Sequence, residues 1–241
     1  MAERTAKAHR TVSRVTDILE AVAAARPGGL RLHDLALSLD APKSSVFGLV
    51  KGLVATGYLV EEESRYVLGP ALGQLLAVES PSLVDAARPA LESLRDTFNE
   101  TVTLATPVGE SIVYVDSAES SQMIRYSPPA HTRRPLYPPS PGKAVLAHWS
   151  RRRQEAYLKE IVTAEELPEA LAELDDVRAR GVAFNRGETL PDVSAAAAPI
   201  LVGGKVLGVI SVAGPSSRMR DRLDEIAAAV KDAAATTAGR V

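Results

Sequence analysis

Apolar residues recur at helical spacing in three stretches at the start of the chain, and two short strand-like runs follow. Val12, Val15, Ile18, Leu19 and Val22 form the first stripe, which "RPGG" stops. Leu32, Leu35, Ala36 and Leu39 form the second. A turn at Asp40-Ala41 leads to the third, with Val46, Leu49, Val50 and Leu53 on its apolar face. Pro42 suits the first turn of this helix, and Thr56-Gly57 ends it. "YLVEEESRYVL" reads as two strands around a polar turn at Glu62 to Ser64. Helix, helix, tight turn, helix and wing is the order of a winged helix-turn-helix, whose third helix enters the DNA major groove.

The pattern then changes. "GPALGQLLAVESPSLVDAARPALESLRDTFNE" continues as helices broken near Ser80-Pro81. The expected division is a DNA-binding domain over 1–69, a linker helix over 70–80 and a second domain over 81–241. In that second domain "TVTLATP", "SIVYVDSAE" and "QMIRYS" read as strands, the first two joined at Gly109-Glu110. A Pro-rich loop precedes one long helix, "GKAVLAHWSRRRQEAYLKEI", and "ELPEALAELDDVRARG" gives another. "AAAAPILVGGKVLGVISVAG" is a hairpin around Gly203-Gly204, and a terminal helix starts at about Met219. The fold class is α+β, its second part an α/β domain with a largely antiparallel sheet.

Composition narrows the chemistry. The formal net charge of -2 argues against a wholesale polyanion binder, although Arg4, Lys7, Arg10 and Arg14 face the single acid Glu3 at the start. Cysteine is absent, which excludes disulfides and thiolate chemistry and fits a reducing cytoplasm. The polar start has no apolar h-region, and the longest apolar run falls far short of the ~20 residues a membrane span needs. The four histidines show no metal-site spacing. "PPSPGKAV" has the Gly-Lys of a phosphate loop, but Tyr137 stands where the earlier glycine belongs and Ala144 replaces the Ser/Thr. The reading is a protein that is not an enzyme, with no catalytic residue, metal or cofactor.

Two places carry candidate binding residues. On the third helix Lys43, Ser44, Ser45, Phe47 and Lys51 are free to face outward. Lysine and helix-start amides suit phosphates, and serine suits phosphates or base edges, although Ser44 and Ser45 equally suit a plain helix start. At "SPGKAVLAHW", Ser140 can be an N-cap with Pro141 as the first helical residue, and Gly142 lets another group approach the backbone. Such an end is either a carboxylate site or an ordinary capped helix. In "KVLGVISVAG" one face holds Leu207, Val209, Ser211 and Ala213, where Ser211 either bonds internally or reaches a ligand.

"RTVSRVTDILEAV", "LHDLALSLDAPKSSVFGLVKGLVATGYLV", "RYVLGPAL", "PGKAVLAHW" and "AAAPILVGGKVLGVISVAGPSSRM" together resemble the IclR family of bacterial transcriptional regulators over nearly the whole chain. The resemblance implies a winged helix-turn-helix followed by a GAF-like effector-binding domain. It implies a regulator, here read as a repressor, that binds double-stranded operator DNA as a homodimer or homotetramer and answers to a small organic acid. Ser140 and Pro141 match the loop that holds the effector carboxylate, and Asn185, Ala195, Ser211 and Ala213 match further pocket positions. Relatives that sense small oxo acids carry Asp, Cys and Ser where this chain has Asn185, Ala195 and Ala213, which favours an aromatic acid such as a hydroxybenzoate. An aliphatic oxo or sugar acid is the alternative, followed by a carboxylate sensor or enzyme that does not bind DNA. Phe47-Gly48 replaces a basic pair common in the family, and Glu61, Glu62 and Glu63 put acid on the wing. Arg65, Lys43, Lys51 and the basic arm that includes Arg14 then supply the charge, and non-specific DNA binding is expected to be weak and steeply lost with salt.

Overall fold

The computed structural model describes residues 9–25, 28–69, 71–72 and 83–241. Most of the expected linker helix and the basic residues Arg4 and Lys7 therefore lie outside the described residues. The chain divides into two compact units, Met1–Glu79 and Ser80–Val241.

In the first unit the helices are α1 (Arg10–Ala24), α2 (Leu32–Ser38) and α3 (Lys43–Ala55), followed by β1 (Leu59–Glu62) and β2 (Arg65–Leu68). Ile18 and Val22 of α1, Leu35 of α2, and Val46, Val50 and Leu53 of α3 converge on Leu59 and Tyr66 of the wing. Their i, i+4, i+7 spacing puts each set on one helix face, so burial of the stripes holds the three helices together. Val12 departs from the expected stripe: it sits in the first turn of α1 and is 61% exposed. Pro42 also lies one step earlier than expected, as the N-cap of α3, its carbonyl accepting from the amides of Ser45 and Val46. The wing turns at Glu63 and Ser64, both with positive φ, the geometry a two-residue hairpin requires. Leu30 exchanges backbone hydrogen bonds with Tyr66 and ties the wing to the segment before α2.

The second unit is a six-stranded antiparallel sheet between two helical layers. Its elements are α4 (Leu83–Phe98), β3 (Thr101–Val108), β4 (Ser111–Ala118), β5 (Arg133–Pro135), α5 (Ser140–Leu146), α6 (Arg151–Leu158) and α7 (Leu167–Arg180). Then come β6 (Ala183–Arg186), β7 (Val193–Val202), β8 (Lys205–Pro215), α8 (Ser216–Met219), a 3-10 turn (Arg220–Arg222) and α9 (Leu223–Ala238). The strand order is β5-β4-β3-β8-β7-β6. Alternation along the strands sends Val102, Leu104, Ala196, Ile210 and Val212 to the face covered by α4 and α9. Ala105, Ala183, Ala197 and Val209 go to the face covered by α5, α6 and α7.

Three expectations need correction. "QMIRYS" is not a strand; the edge strand is β5, farther along. The long helix after the Pro-rich loop is two helices, because the buried Gln154 reaches back to hydrogen-bond the Leu146 carbonyl at the end of α5, 2.8 Å away. The same carbonyl accepts from the Trp149 amide at 3.0 Å, so this helix end is closed by a tight turn and a side chain instead of a continuing helix. The register shift at Ile200/Leu201 bulges β8 at Leu207, which drops out of its expected row and is 37% exposed.

Candidate functional site

In the first unit Lys43, Ser44, Ser45, Phe47 and Lys51 all lie on the exposed side of α3, and Phe47 is 45% exposed despite its size. Lys43, Phe47 and Lys51 follow one another at i, i+4 and so line one ridge. Among the described residues Lys43 has no ion-pair partner, whereas Lys51 donates to Glu61 of β1 at 2.7 Å and lies 5.7 Å from the centre of the Phe47 ring. That hydrogen bond raises the Lys51 pKa and lowers that of Glu61. Arg65 turns its guanidinium to the carbonyls of Gly28 and Gly29, at 3.4 and 3.2 Å, and Arg14 is half-buried on α1. The wing acid expected only to repel phosphate is thus the partner of a nominated DNA contact. Ten residues separate the two, and only the fold of the wing against α3 joins them.

In the second unit Asn185, Ala195, Ser211 and Ala213, the nominated pocket residues that lie on strands, fall on two adjacent rungs of the sheet. Asn185, Ala195, Ala213 and Thr101 are paired across β6, β7, β8 and β3; Ala183, Ala197, Ser211, Thr103 and Ser117 form the next rung, extending to β4. This floor is small and neutral, and α5 packs on β7 and β8. Ser211 and Thr103 bond through their hydroxyls at 2.7 Å, which settles the internal bond of Ser211. The side chain of Asn185 holds its own turn, donating to the Thr189 hydroxyl and accepting from the Gly187 amide. Thr103 was missed in the sequence, although the period of two in "TVTLATP" already put it on the face of Thr101.

α5 begins one residue earlier than expected: Pro139 is the N-cap, Ser140 the first helical residue and Pro141 the second. The Ser140 hydroxyl is fully buried and, among the described residues, is the one buried side-chain polar atom without a hydrogen-bond partner. Lys143 N–H bonds the Pro139 carbonyl, leaving the first-turn N–H groups of Ser140 and Gly142 without an intrahelical acceptor. The group that approaches Gly142 is the chain itself. A Cβ there would lie 2.2 Å from the Leu136 carbonyl oxygen.

Lys143, 1% exposed, anchors this helix by donating to Glu173 of α7 at 2.5 Å and to the Phe184 carbonyl of β6 at 3.0 Å. Tyr137 donates to the other oxygen of Glu173, and burial, then the Glu173 charge, pushes its hydroxyl pKa up. The Gly-Lys pair that imitates a phosphate loop is therefore a packing and ion-pair device. A second anchor lies in "SVAGPSSRM": Arg218 grips the buried Glu100 carboxylate through two nitrogens, and a Cβ on Gly214 would strike that carboxylate.

The C-terminal model of bacterial IclR transcriptional regulators matches residues 75–238, and the IclR helix-turn-helix model matches residues 11–63. The HTH-type transcriptional regulator BhcR of Paracoccus denitrificans is 32% identical over 240 residues, covering 93% of this chain and 85% of that protein. An IclR transcriptional regulator from Silicibacter sp. TM1040 superposes with a TM-score of 0.79 at 27% identity, covering 95% of both chains. The same fold occurs in an IclR homolog from Microbacterium hydrocarbonoxydans complexed with 4-hydroxybenzoate, with a TM-score of 0.77, 18% identity and coverage of 95% and 98%. With its helix-turn-helix unit and its sheet-and-helix unit both matched, this chain belongs to the IclR family of DNA-binding bacterial transcriptional regulators.

Proposed function

We propose that this regulator is a repressor whose hold on its operator is broken by a small carboxylate, with an aromatic acid of the hydroxybenzoate type as the favoured class. The buried, unpartnered hydroxyl of Ser140 carries this reading. An unsatisfied buried hydroxyl costs about 1–3 kcal/mol, a cost that a ligand oxygen removes. Two first-turn amides beside it offer further donors, which suits a carboxylate better than a cation. Ala195, Ala197 and Ala213 put only methyl groups on the floor, and neither rung holds a charged residue, which suits a ring more than a polyhydroxylated sugar acid. The Microbacterium homolog's 4-hydroxybenzoate supports the same class. On DNA the exposed front of α3, led by Lys43 and Ser44, makes the contacts, and a homodimer, or each dimer of a pair, presents two such helices to a palindromic site.

The test is fluorescence anisotropy of labelled DNA from upstream of the protein's own gene, with unlabelled random DNA as competitor. Aliphatic and aromatic carboxylates are then titrated in. Competitor-resistant binding reversed by aromatic acids is the expected result, and binding no better than to random DNA would overturn the reading. The variant carrying Lys43→Ala and Ser44→Ala should lose about tenfold or more in affinity, with a salt slope shallower by about 0.9. Ser140→Ala should behave oppositely in the two readouts. Without ligand its melting point should rise, by the equivalent of about 1 kcal/mol, because the orphaned hydroxyl is gone. Its response to the acid should weaken about tenfold. A Ser140→Ala protein that melts lower and responds normally would remove Ser140 from the site.

A further inference from the structure

We propose that Glu61 holds the Lys51 ammonium off the DNA backbone and thereby sets how weakly this protein grips DNA of arbitrary sequence. This rests on α3 being the helix that faces DNA. Lys51 lies on the same ridge as Lys43, two turns along, yet the two lysines are in different states. The ammonium of Lys51 is engaged by Glu61 at 2.7 Å and by the Phe47 ring at 5.7 Å, while Lys43 has no ion-pair partner among the described residues. A lysine adds to non-specific binding by neutralising a phosphate and releasing a counterion. One already neutralised by a carboxylate adds no net charge to the surface. A phosphate displacing Glu61 must also approach a wing that carries Glu62 and Glu63, both exposed.

An exposed ion pair is weak on its own account, so a DNA site with enough other contacts can still break it. Sequestration of this kind lowers affinity for random sequence, whose binding comes almost wholly from phosphate contacts. Glu61 thus tunes the grip on DNA without touching a base.

The experiment measures affinity for a random duplex across a salt series, with each variant first shown to melt like the wild type. Glu61→Gln keeps the size and an acceptor oxygen but drops the charge. It should bind random DNA about five- to tenfold more tightly at low salt, with a slope steeper by about 0.9. Glu63→Gln removes the same charge from the tip of the wing without touching Lys51, and its gain should stay below about twofold. Adding Lys51→Ala to Glu61→Gln should abolish the gain. Unchanged binding by Glu61→Gln, an equal gain from Glu63→Gln, or a gain that survives Lys51→Ala would each overturn the sequestration. A wild-type protein with no affinity for any duplex would overturn the DNA-facing reading of α3 itself, and the role of Glu61 with it.

Discussion

Gly142→Ala should lower the melting point of the second unit by roughly 6–12 °C, corresponding to about 3 kcal/mol for a chain of this size. The added methyl would sit 2.2 Å from the Leu136 carbonyl oxygen, 2.4 Å from its Cα and 2.5 Å from its carbonyl carbon. All three are backbone atoms, so no rotamer change makes room. Leu136 cannot retreat easily either. Its amide donates to the buried Tyr157 hydroxyl at 2.8 Å, and its side chain is fully buried. Overpacking of a core typically costs about 1–3 kcal/mol, and an obstacle fixed at both ends belongs at the upper limit. The single tryptophan, Trp149, follows α5 closely and packs edge-on against Tyr157, so its fluorescence reports this region. The same substitution should weaken the proposed response to acid, because lifting the first turn of α5 moves Ser140. A melting point within 2 °C of wild type would mean that the loop at Leu136 yields.

The elements that the sequence specified locally are those that a single physical rule controls. The apolar face of α3 follows from i, i+4 spacing, and the β7–β8 turn from two glycines that take φ of +56° and +77°. The small, neutral floor also follows in part, since alternation along "KVLGVISVAG" puts Val209, Ser211 and Ala213 on one face. What stayed hidden depends on partners far away in the chain. "AVLAHWSRRRQEAYL" has a helical composition throughout, and its break comes from Gln154 folding back on Leu146, a contact visible only after the turn exists. The identity of what touches Gly142 required knowing that Leu136 lies across the first turn of α5. Lys51 and Glu61 show the same limit on the DNA side. Charge counting put acid on the wing, but only the packing of β1 beside α3 makes one of those acids a lysine's partner.

Glu173→Ala should cost more than Lys143→Met, although both break the same ion pair. Lys143 is wholly buried, whereas the Glu173 side chain is one-third exposed. Removing Glu173 strands a buried ammonium with the Phe184 carbonyl and the more distant Glu188 carboxylate, 3.7 Å away. Breaking a buried pair in this way costs about 3–5 kcal/mol, and the nearness of Glu188 places this case at the lower end. It also takes the acceptor from the Tyr137 hydroxyl. Removing Lys143 instead leaves Glu173 able to reach water, and methionine refills most of the stem volume. The remaining loss is the unpaired Phe184 carbonyl, about 1–3 kcal/mol. Denaturant titrations followed through Trp149 should therefore rank wild type above Lys143→Met above Glu173→Ala. The reverse order would mean that the stem of Lys143, and not its charge, holds α5 to α7. Since α5 also carries Ser140, the variant that loosens it most should also show the weakest response to acid under the proposed function, linking the anchor of the helix to the proposed site at its start.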